Sequence, residues 1–464
     1  MIALKDVSFQ YEGYEKGVHG IDLTVCDGEC VVLTGPSGGG KTTLTRLING
    51  LASSYYQGTR KGDIRVNNTE IAALPAWRIG QEIGSVFQDP KSQFFSSELV
   101  GEVAFACENY GMAKQEIRKR TDEAIASLGL ETLRSRPLDV LSSGEKQRVA
   151  VASVYALRPH TYVCDEPTAN LDGEGAARLA DILWKLKDEG NTLIIAEHRL
   201  AWLNGIADRF VYVSEGTIQW EKTPGQMREL SEEERKRYGL REITETEVFL
   251  PGIPASAGKE SLFCRNLTCR RKKTLIFEGL NLSLPTGKIT ALTGRNGVGK
   301  TTLAMVLAGL QKPSGGEVCI GDRRLSAGKR RRKVWYSSND TDTQFFTTSV
   351  TDELLLHSDT SSRRLERART LLKTLDLYAY KDAHPAALSG GQKQRLSIAC
   401  GLLSGREILL FDEPTSGLDG GNMRKIAALL TEAAAEGKTV LVITHDKELM
   451  QVCCDFRWGF ELSL

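Results

Sequence analysis

Gly35-Pro36-Ser37-Gly38-Gly39-Gly40-Lys41-Thr42-Thr43 follows the apolar run Cys30-Val31-Val32-Leu33-Thr34. It returns 259 residues later as Gly294-Arg295-Asn296-Gly297-Val298-Gly299-Lys300-Thr301-Thr302. Both copies have the form Gly-x-x-x-x-Gly-Lys-Thr. Glycines in such a loop let consecutive backbone N–H groups turn into one concavity, and the helix behind it directs its positive dipole end to the same place. A lysine then reaches the β- and γ-phosphates of a nucleotide, and a threonine hydroxyl takes Mg2+. The pattern assigns Gly35, Ser37, Gly38, Gly39, Gly40, Lys41, Thr42 and Thr43 to one nucleotide-phosphate site. It assigns Gly294, Asn296, Gly297, Gly299, Lys300, Thr301 and Thr302 to another.

Three more blocks repeat in the same order, each 247 residues on. Leu141-Ser142-Ser143-Gly144-Glu145-Lys146-Gln147-Arg148 matches Leu388-Ser389-Gly390-Gly391-Gln392-Lys393-Gln394-Arg395. Cys164-Asp165-Glu166-Pro167-Thr168 matches Phe411-Asp412-Glu413-Pro414-Thr415, and Ala196-Glu197-His198 matches Ile443-Thr444-His445. Four blocks in one order mean that a whole domain is duplicated. The second copy is twelve residues shorter between its first two blocks. The reading is a first domain over 1–227, a linker over 228–260 and a second domain over 261–464. The linker is dense in charge over 228–247, where a polar helix is expected, and then runs Pro251-Gly252-Ile253-Pro254-Ala255-Ser256-Ala257-Gly258. Short apolar runs at 30–34, 161–164, 192–196, 408–411 and 440–443 read as buried strands. Between them lie helical stretches such as 42–50 and 174–188. The alternation predicts α/β domains, each with a mainly parallel sheet flanked by helices.

Asp165 and Asp412 end apolar runs, where a carboxylate opposite the glycine loop suits Mg2+. Glu166 and Glu413 come next, placed to polarise an attacking water as general base or orienter. His198 and His445 follow their aspartates by 33 residues in both halves and read as γ-phosphate contacts. Ser142, Ser143, Gly144 and Glu145, and Ser389, Gly390, Gly391 and Gln392, open a helix with backbone and hydroxyl donors. They read as a second phosphate-binding helix start.

Taken together with Asn170-Leu171-Asp172 and Gly417-Leu418-Asp419, these motifs resemble the ABC ATPase set. The resemblance covers both halves. It implies two tandem P-loop NTPase domains, each with a helical signature subdomain, paired head to tail within the chain. Two ATP would lie between them, each on the P-loop of one half and the signature of the other. A narrower likeness lies in Val86-Phe87-Gln88-Asp89-Pro90-Lys91-Ser92-Gln93-Phe94-Phe95, the helix that follows, and Ala196-Glu197-His198-Arg199-Leu200. These are similar to energy-coupling-factor (ECF) transporter ATPases. The likeness implies a catalytic and Mg2+-binding role for Gln88. It also implies a coupling groove around Gln88 to Phe95, and around Gln344-Phe345-Phe346. Expected partners are a transmembrane coupling protein and a small membrane substrate-binding subunit that selects a vitamin or metal ion. The expected location is the cytoplasmic face of the membrane, and no nucleic-acid partner is expected. The alternative is a soluble tandem ATPase acting on ribosomes or nucleic acid.

The halves differ in ways that predict faster hydrolysis at the first P-loop. Ser143 stands in place of a glycine and Glu145 in place of a glutamine, both in the signature that would serve the second P-loop. The counterpart of Gln88 is Asn339, one methylene shorter. Tyr11 can stack on adenine, whereas the matching Thr268-Cys269-Arg270-Arg271 has no aromatic ring. The basic runs Arg270-Arg271-Lys272-Lys273 and Lys329-Arg330-Arg331-Arg332-Lys333 read first as solvated surface, with contact to lipid headgroups or RNA as the other reading.

Composition is consistent with this picture. The 464 residues favour two or three domains. Sixty basic against 59 acidic residues exclude a global attraction to nucleic acid or anionic lipid. No apolar run approaches the roughly 18 residues of a membrane span, and the N-terminus has no secretory pattern. Ten cysteines without a Cys-x-x-Cys read as reduced, mostly buried thiols. The 45 glycines exceed the usual ~7%, in part through the phosphate loops.

Overall fold

The computed structural model describes residues 1–13, 17–169, 171–245, 247–254, 260–271, 274–356 and 361–460. Asn170, Lys272, Lys273 and residues 255–258 of the expected linker lie outside the described residues. The chain divides into two compact units, Met1–Glu245 with Asp419–Gly421, and Thr246–Leu418 with Asn422–Leu464.

The first unit holds two sheets. One is antiparallel, in the order β2 (Gly17–Val25), β1 (Ile2–Tyr11), β4 (Gly58–Val66), β5 (Thr69–Glu70). The other has the order β10 (Thr217–Lys222), β9 (Arg209–Ser214), β3 (Cys30–Thr34), β8 (Thr192–Ala196), β7 (Thr161–Asp165), β6 (Ile83–Val86). It is parallel except where β10 returns on β9. The second unit repeats the plan. Its antiparallel sheet runs β12 (Thr274–Pro285), β11 (Glu260–Arg271), β14 (Gly315–Ile320), β15 (Arg323–Arg324). Its parallel sheet runs β16 (Val334–Ser337), β17 (Ile408–Asp412), β18 (Thr439–Ile443), β13 (Ile289–Thr293), β19 (Phe456–Gly459). All five strands expected from apolar runs are present. Those runs are continuous because parallel strands covered on both faces bury every side chain, as β3, β8, β13, β17 and β18 do. The antiparallel sheets were not foreseen, because their strands mix buried and exposed positions across a register shift.

That shift is built the same way twice. β1 pairs Lys5 with Asp63 but Ser8 with Lys61, and β11 pairs Arg265 with Glu317 but Thr268 with Gly315. At each break a short polar residue takes a left-handed backbone, Asp6 (φ 48) and Asn266 (φ 47), and a glycine faces it, Gly62 and Gly316 (φ 79 each). A Cβ on Gly62 would lie 2.2 Å from the Asp6 carbonyl oxygen, and one on Gly316 would lie 2.3 Å from that of Asn266. The bulge thus requires glycine on one strand and tolerates Asp or Asn on the other.

A helical layer covers one edge of each parallel sheet. In the first unit it comprises the helices Leu99–Asn109, Lys114–Ser127 and Ser143–Leu157, and in the second Val350–Leu355, Ser362–Thr374 and Gly390–Leu403. The second unit is shorter in two places. Its layer opens on a six-residue helix, and it has no described counterpart of the helix Leu51–Ser54.

The charged stretch after the first sheet does form a polar helix, Glu232–Arg237, capped by Ser231 and Glu234. Its far end is anchored to the first unit. Leu240 and Ile243 are buried in that unit's core, and the Tyr238 ring lies edge-on to Tyr212 and Trp220. Past Glu245 the allegiance changes. Val248 and Leu250 pack on the second unit's core, and the Arg457 N–H donates to the Pro251 carbonyl. Eight of the ten cysteines are buried and none is in a disulfide. Burial pushes the Cys30 and Cys164 thiols up to about 12.

Gly62→Ala or Gly316→Ala should cost about 2–3 kcal/mol and lower the melting temperature by roughly 5–10 °C, measured by thermal unfolding.

Candidate functional site

In each unit the P-loop joins the first buried parallel strand to a helix, β3 to Lys41–Ile48 and β13 to Lys300–Ala308. The loop glycines take left-handed backbones: Gly35 (φ 136), Gly38 (φ 78) and Gly40 (φ 114) in one, Gly294 (φ 152), Gly297 (φ 79) and Gly299 (φ 109) in the other. Gly39 is needed for space, since a Cβ there would meet the Val213 carbonyl oxygen at 2.6 Å. Both helices open without a side-chain cap. Among the described residues, the N–H groups of Gly38, Gly40, Lys41 and Thr42 have no protein acceptor. Lys41 Nζ folds back onto the loop, donating to the carbonyls of Gly35 and Pro36 at 2.9 Å each. Lys300 Nζ does the same on Gly294 and Arg295, and lies 3.1 Å from His445 Nε2. Free amide donors around a buried ammonium form a cradle suited to phosphate oxygens.

The acidic residues stand across from this cradle at the ends of β7 and β17. Thr42 Oγ1 donates to Asp165 at 3.3 Å, and Thr301 Oγ1 donates to Asp412 at 2.6 Å. A hydroxyl paired with a carboxylate is the hard-oxygen set that Mg2+ takes beside a triphosphate, so these residues fit that ion. Tyr336 also donates to Asp412, at 3.3 Å. Glu166 (φ 45) and Glu413 (φ 50) both hold left-handed backbones, strain that sharply turns the chain after each aspartate. Gln88 Nε2 donates to Glu166 Oε2 at 2.7 Å, and His198 Nε2 lies 3.4 Å from Glu166 Oε1. His445 Nε2 is 3.8 Å from Glu413 Oε1. Asn339, by contrast, has no hydrogen-bond partner among the described residues.

Burial governs protonation here. It raises the Glu166 carboxyl well above the ordinary range, aided by Asp165, and holds the His198 imidazole well below its own, aided by Lys41. Burial also lowers Lys41 against the pull of Glu166, and raises Asp165 and Asp412. Both shifts favour the neutral form, because an isolated charge in a buried pocket is costly.

The other expected residues sit as follows. Tyr11 donates to Thr43 Oγ1 at 3.4 Å and accepts from Arg46 at 3.2 Å, with its ring edge-on to Phe9 and Tyr56. Ser142 and Ser389 are N-caps of the helices Ser143–Leu157 and Gly390–Leu403. Glu145 accepts the Ser142 N–H at 2.7 Å, and Gln392 accepts that of Ser389 at 2.8 Å. Glu145 thus closes the same capping box as Gln392, and its carboxylate is engaged by its own helix. Ser143 and Gly144, like Gly390 and Gly391, occupy the first helical positions behind the cap.

The Phe pairs divide. Phe94 and Phe345 pack on the cores, while Phe95 is 75% and Phe346 81% exposed. A buried glutamate fixes each loop: Glu102 accepts the N–H groups of Phe95 and Ser96, and Glu353 those of Phe346 and Thr347. Phe95 stacks on Phe105 with centroids 4.7 Å apart, on the rim of an apolar groove of about 570 Å³. Trp77, Phe87, Gln93, Tyr110 and Leu157 also line it. Of the second basic run, Arg330 is buried and donates to the Leu325 and Val306 carbonyls, whereas Lys329, Arg331 and Arg332 are exposed.

One pair of residues escaped the sequence reading. Thr168 Oγ1 donates to buried Glu197 at 2.6 Å, and Thr415 Oγ1 donates to Asp446 at 2.6 Å. Thr168 and Thr415 match in the repeat. The carboxylates do not, because Asp446 corresponds to Arg199, two residues beyond Glu197. Only the repeated threonine was a visible signal.

The ABC transporter family pattern matches residues 18–169 and 277–416, more than half of the chain. A putative ABC transporter ATP-binding protein of Treponema denticola is 37% identical over 98% of this chain and 94% of its own length. The putative HMP/thiamine import ATP-binding protein YkoD of Bacillus subtilis is 32% identical over 98% of this chain and 89% of its own. A chain of the solved structure "Model of ribosome-bound archaeal Pelota and ABCE1" superimposes with a TM-score of 0.71 at 23% identity, covering 97% of this chain and 76% of that one. At that identity the likeness is one of fold. The duplicated P-loop sites define a tandem-cassette ATPase. The chain belongs to the ABC transporter family and hydrolyses ATP.

Thr168→Val should leave one Glu197 oxygen buried without its donor. The expected cost is about 1–3 kcal/mol, a melting temperature lower by roughly 3–8 °C, with Thr168→Ser close to the parent in the same unfolding assay.

Proposed function

We propose that the chain is the motor subunit of an ECF-type ABC importer. It would drive a transmembrane coupling protein and a small membrane substrate-binding subunit to take up a vitamin or metal ion. The observation that carries this reading is the apolar groove of the first unit. It is lined by Phe87 and Gln93, on either side of Gln88 in sequence, and rimmed by an exposed Phe95 that buried Glu102 holds in place. An exposed aromatic on a fixed loop suits a partner helix that must feel the catalytic site. The Bacillus subtilis relative, whose name describes import, supports the vitamin side. The ribosome-acting alternative rests on likeness of fold alone. No helix of the described residues is long and apolar enough to cross a membrane, so the proposed place is peripheral, on the cytoplasmic face, through those partners.

In this reading Lys41 and Lys300 bind the β- and γ-phosphates of two ATP. Thr42, Asp165 and Gln88 at one site, and Thr301 and Asp412 at the other, would hold Mg2+, which would supply positive charge against the phosphates. Glu166 and Glu413 take a proton from the attacking water or orient it. His198 and His445 donate to the γ-phosphate. Head-to-tail pairing of the cassettes, with Ser389 to Gln392 serving the first P-loop and Ser142 to Glu145 the second, is part of the proposal. ATP binding would close the pair and hydrolysis reopen it.

Glu166 is held by Gln88, while Asn339 offers Glu413 nothing comparable, which favours the first P-loop as the faster site. In a coupled ATPase assay Glu166→Gln should lower turnover about tenfold or more, and Glu413→Gln less than about twofold. Equal losses would sink the asymmetry. Coexpressed with a multi-span coupling protein and a small membrane subunit, the chain should move to the membrane fraction, and Phe95→Asp should weaken that association at least about tenfold. Co-sedimentation with ribosomes in the absence of such partners would overturn the importer reading.

A further inference from the structure

The second unit lacks the Gln88 contact but carries a substitute. We propose that Thr444 is the positioning residue for Glu413, doing at the end of β18 what Gln88 does for Glu166 in the first unit. The inference rests on the reading of Glu413 as the group that acts on water.

The hydrogen bonds of Thr444 are directional. The Asp446 N–H donates to Thr444 Oγ1 at 3.0 Å, which occupies a lone pair of the hydroxyl. Its proton is then directed to Glu413 Oε2, 3.4 Å away. Thr444 is fully buried, so no water competes for that proton. The residue is free for this task because Asp446 has taken over the tie to Thr415. Asp446 also caps the helix Lys447–Cys453 by accepting the Leu449 N–H at 3.1 Å.

The first unit solves the same problem in the opposite way. Glu197 occupies the position of Thr444. It accepts from Thr168 Oγ1, from the His198 N–H at 2.7 Å and from the Arg199 N–H at 3.1 Å. Those three donors engage both of its oxygens, and among the described residues no hydrogen bond joins it to Glu166. Orientation there falls to Gln88, at 2.7 Å. Two coupled exchanges therefore separate the units. A carboxylate moves by two residues, from 197 to the position of 446, and the donor to the catalytic glutamate moves from the loop after β6 to the end of β18. The longer contact in the second unit agrees with slower hydrolysis there.

The test has two arms. In the full chain carrying Glu166→Gln, Thr444→Val should lower the residual kcat about tenfold with KM within about twofold, and Thr444→Ser should restore it to within about twofold. A structural role would let serine and valine fail alike, or would shift KM. The second arm needs no turnover: a double-mutant cycle of Thr444→Val with Glu413→Ala, read as melting temperature. The two shifts should be non-additive by about 2 °C. Additive shifts overturn the contact. Coupled shifts with unchanged kcat overturn its part in hydrolysis, whereas the catalytic reading of Glu413 itself is overturned only if Glu413→Ala in the same Glu166→Gln chain leaves the residual kcat unchanged.

Discussion

Each parallel sheet gathers charged side chains at the carboxyl ends of its strands and holds them out of water. Lys41, Glu166, Glu197 and His198 are each under 10% exposed, and Lys300 and Asp412 are buried likewise in the second unit. Such groups persist only if each is neutralised by a proton or tied by hydrogen bonds. Lys41 turns back on its own loop, burial shifts Glu166 and His198 toward their neutral forms, and Glu197 collects three donors. A bound magnesium triphosphate supplies compensating charge of both signs, which is why a pocket of this kind is built to receive one.

The surrounding architecture serves that pocket. Parallel strands converge their carboxyl ends on one edge, and the glycine loop after the first of them turns its amides inward. The strained backbones at Glu166 and Glu413 aim carboxylates that a relaxed turn would point elsewhere. From the same edge, the loop after β6 runs outward past Gln88 to Phe95. Glutamates at 102 and 353 pin these loops by their backbone amides, which leaves the phenylalanines exposed without leaving them floppy. A single short loop thus links the Glu166 carboxylate to an apolar surface.

Duplication let the two pockets drift. Their P-loops, aspartates and histidines are alike, and even Glu145 and Gln392 close identical capping boxes despite differing in charge. The divergence lies in which donor reaches the glutamate, Gln88 in one unit and Thr444 in the other, and in which carboxylate receives the repeated threonine, Glu197 or Asp446.

The order of residues alone shows the duplication, the five buried strands and the residues of both P-loops. These are local: an apolar run wants burial, and a Gly-x-x-x-x-Gly-Lys-Thr turn has its chemistry within nine residues. It also marked Gln88, Glu166 and His198 singly. It could not show the paired bulges at Gly62 and Gly316, since each needs a partner strand some fifty residues away. Nor could it show that Leu240 and Ile243, inside the charged stretch, belong to the first core. The carboxylate that satisfies Thr168 or Thr415 was hidden for a related reason. Position along the chain differs by two residues between the halves, and only the folded backbone brings either carboxylate to the same hydroxyl. Tertiary structure decided these features because a buried polar group is satisfied by whatever donor or acceptor lies within reach in space, whatever its distance along the chain.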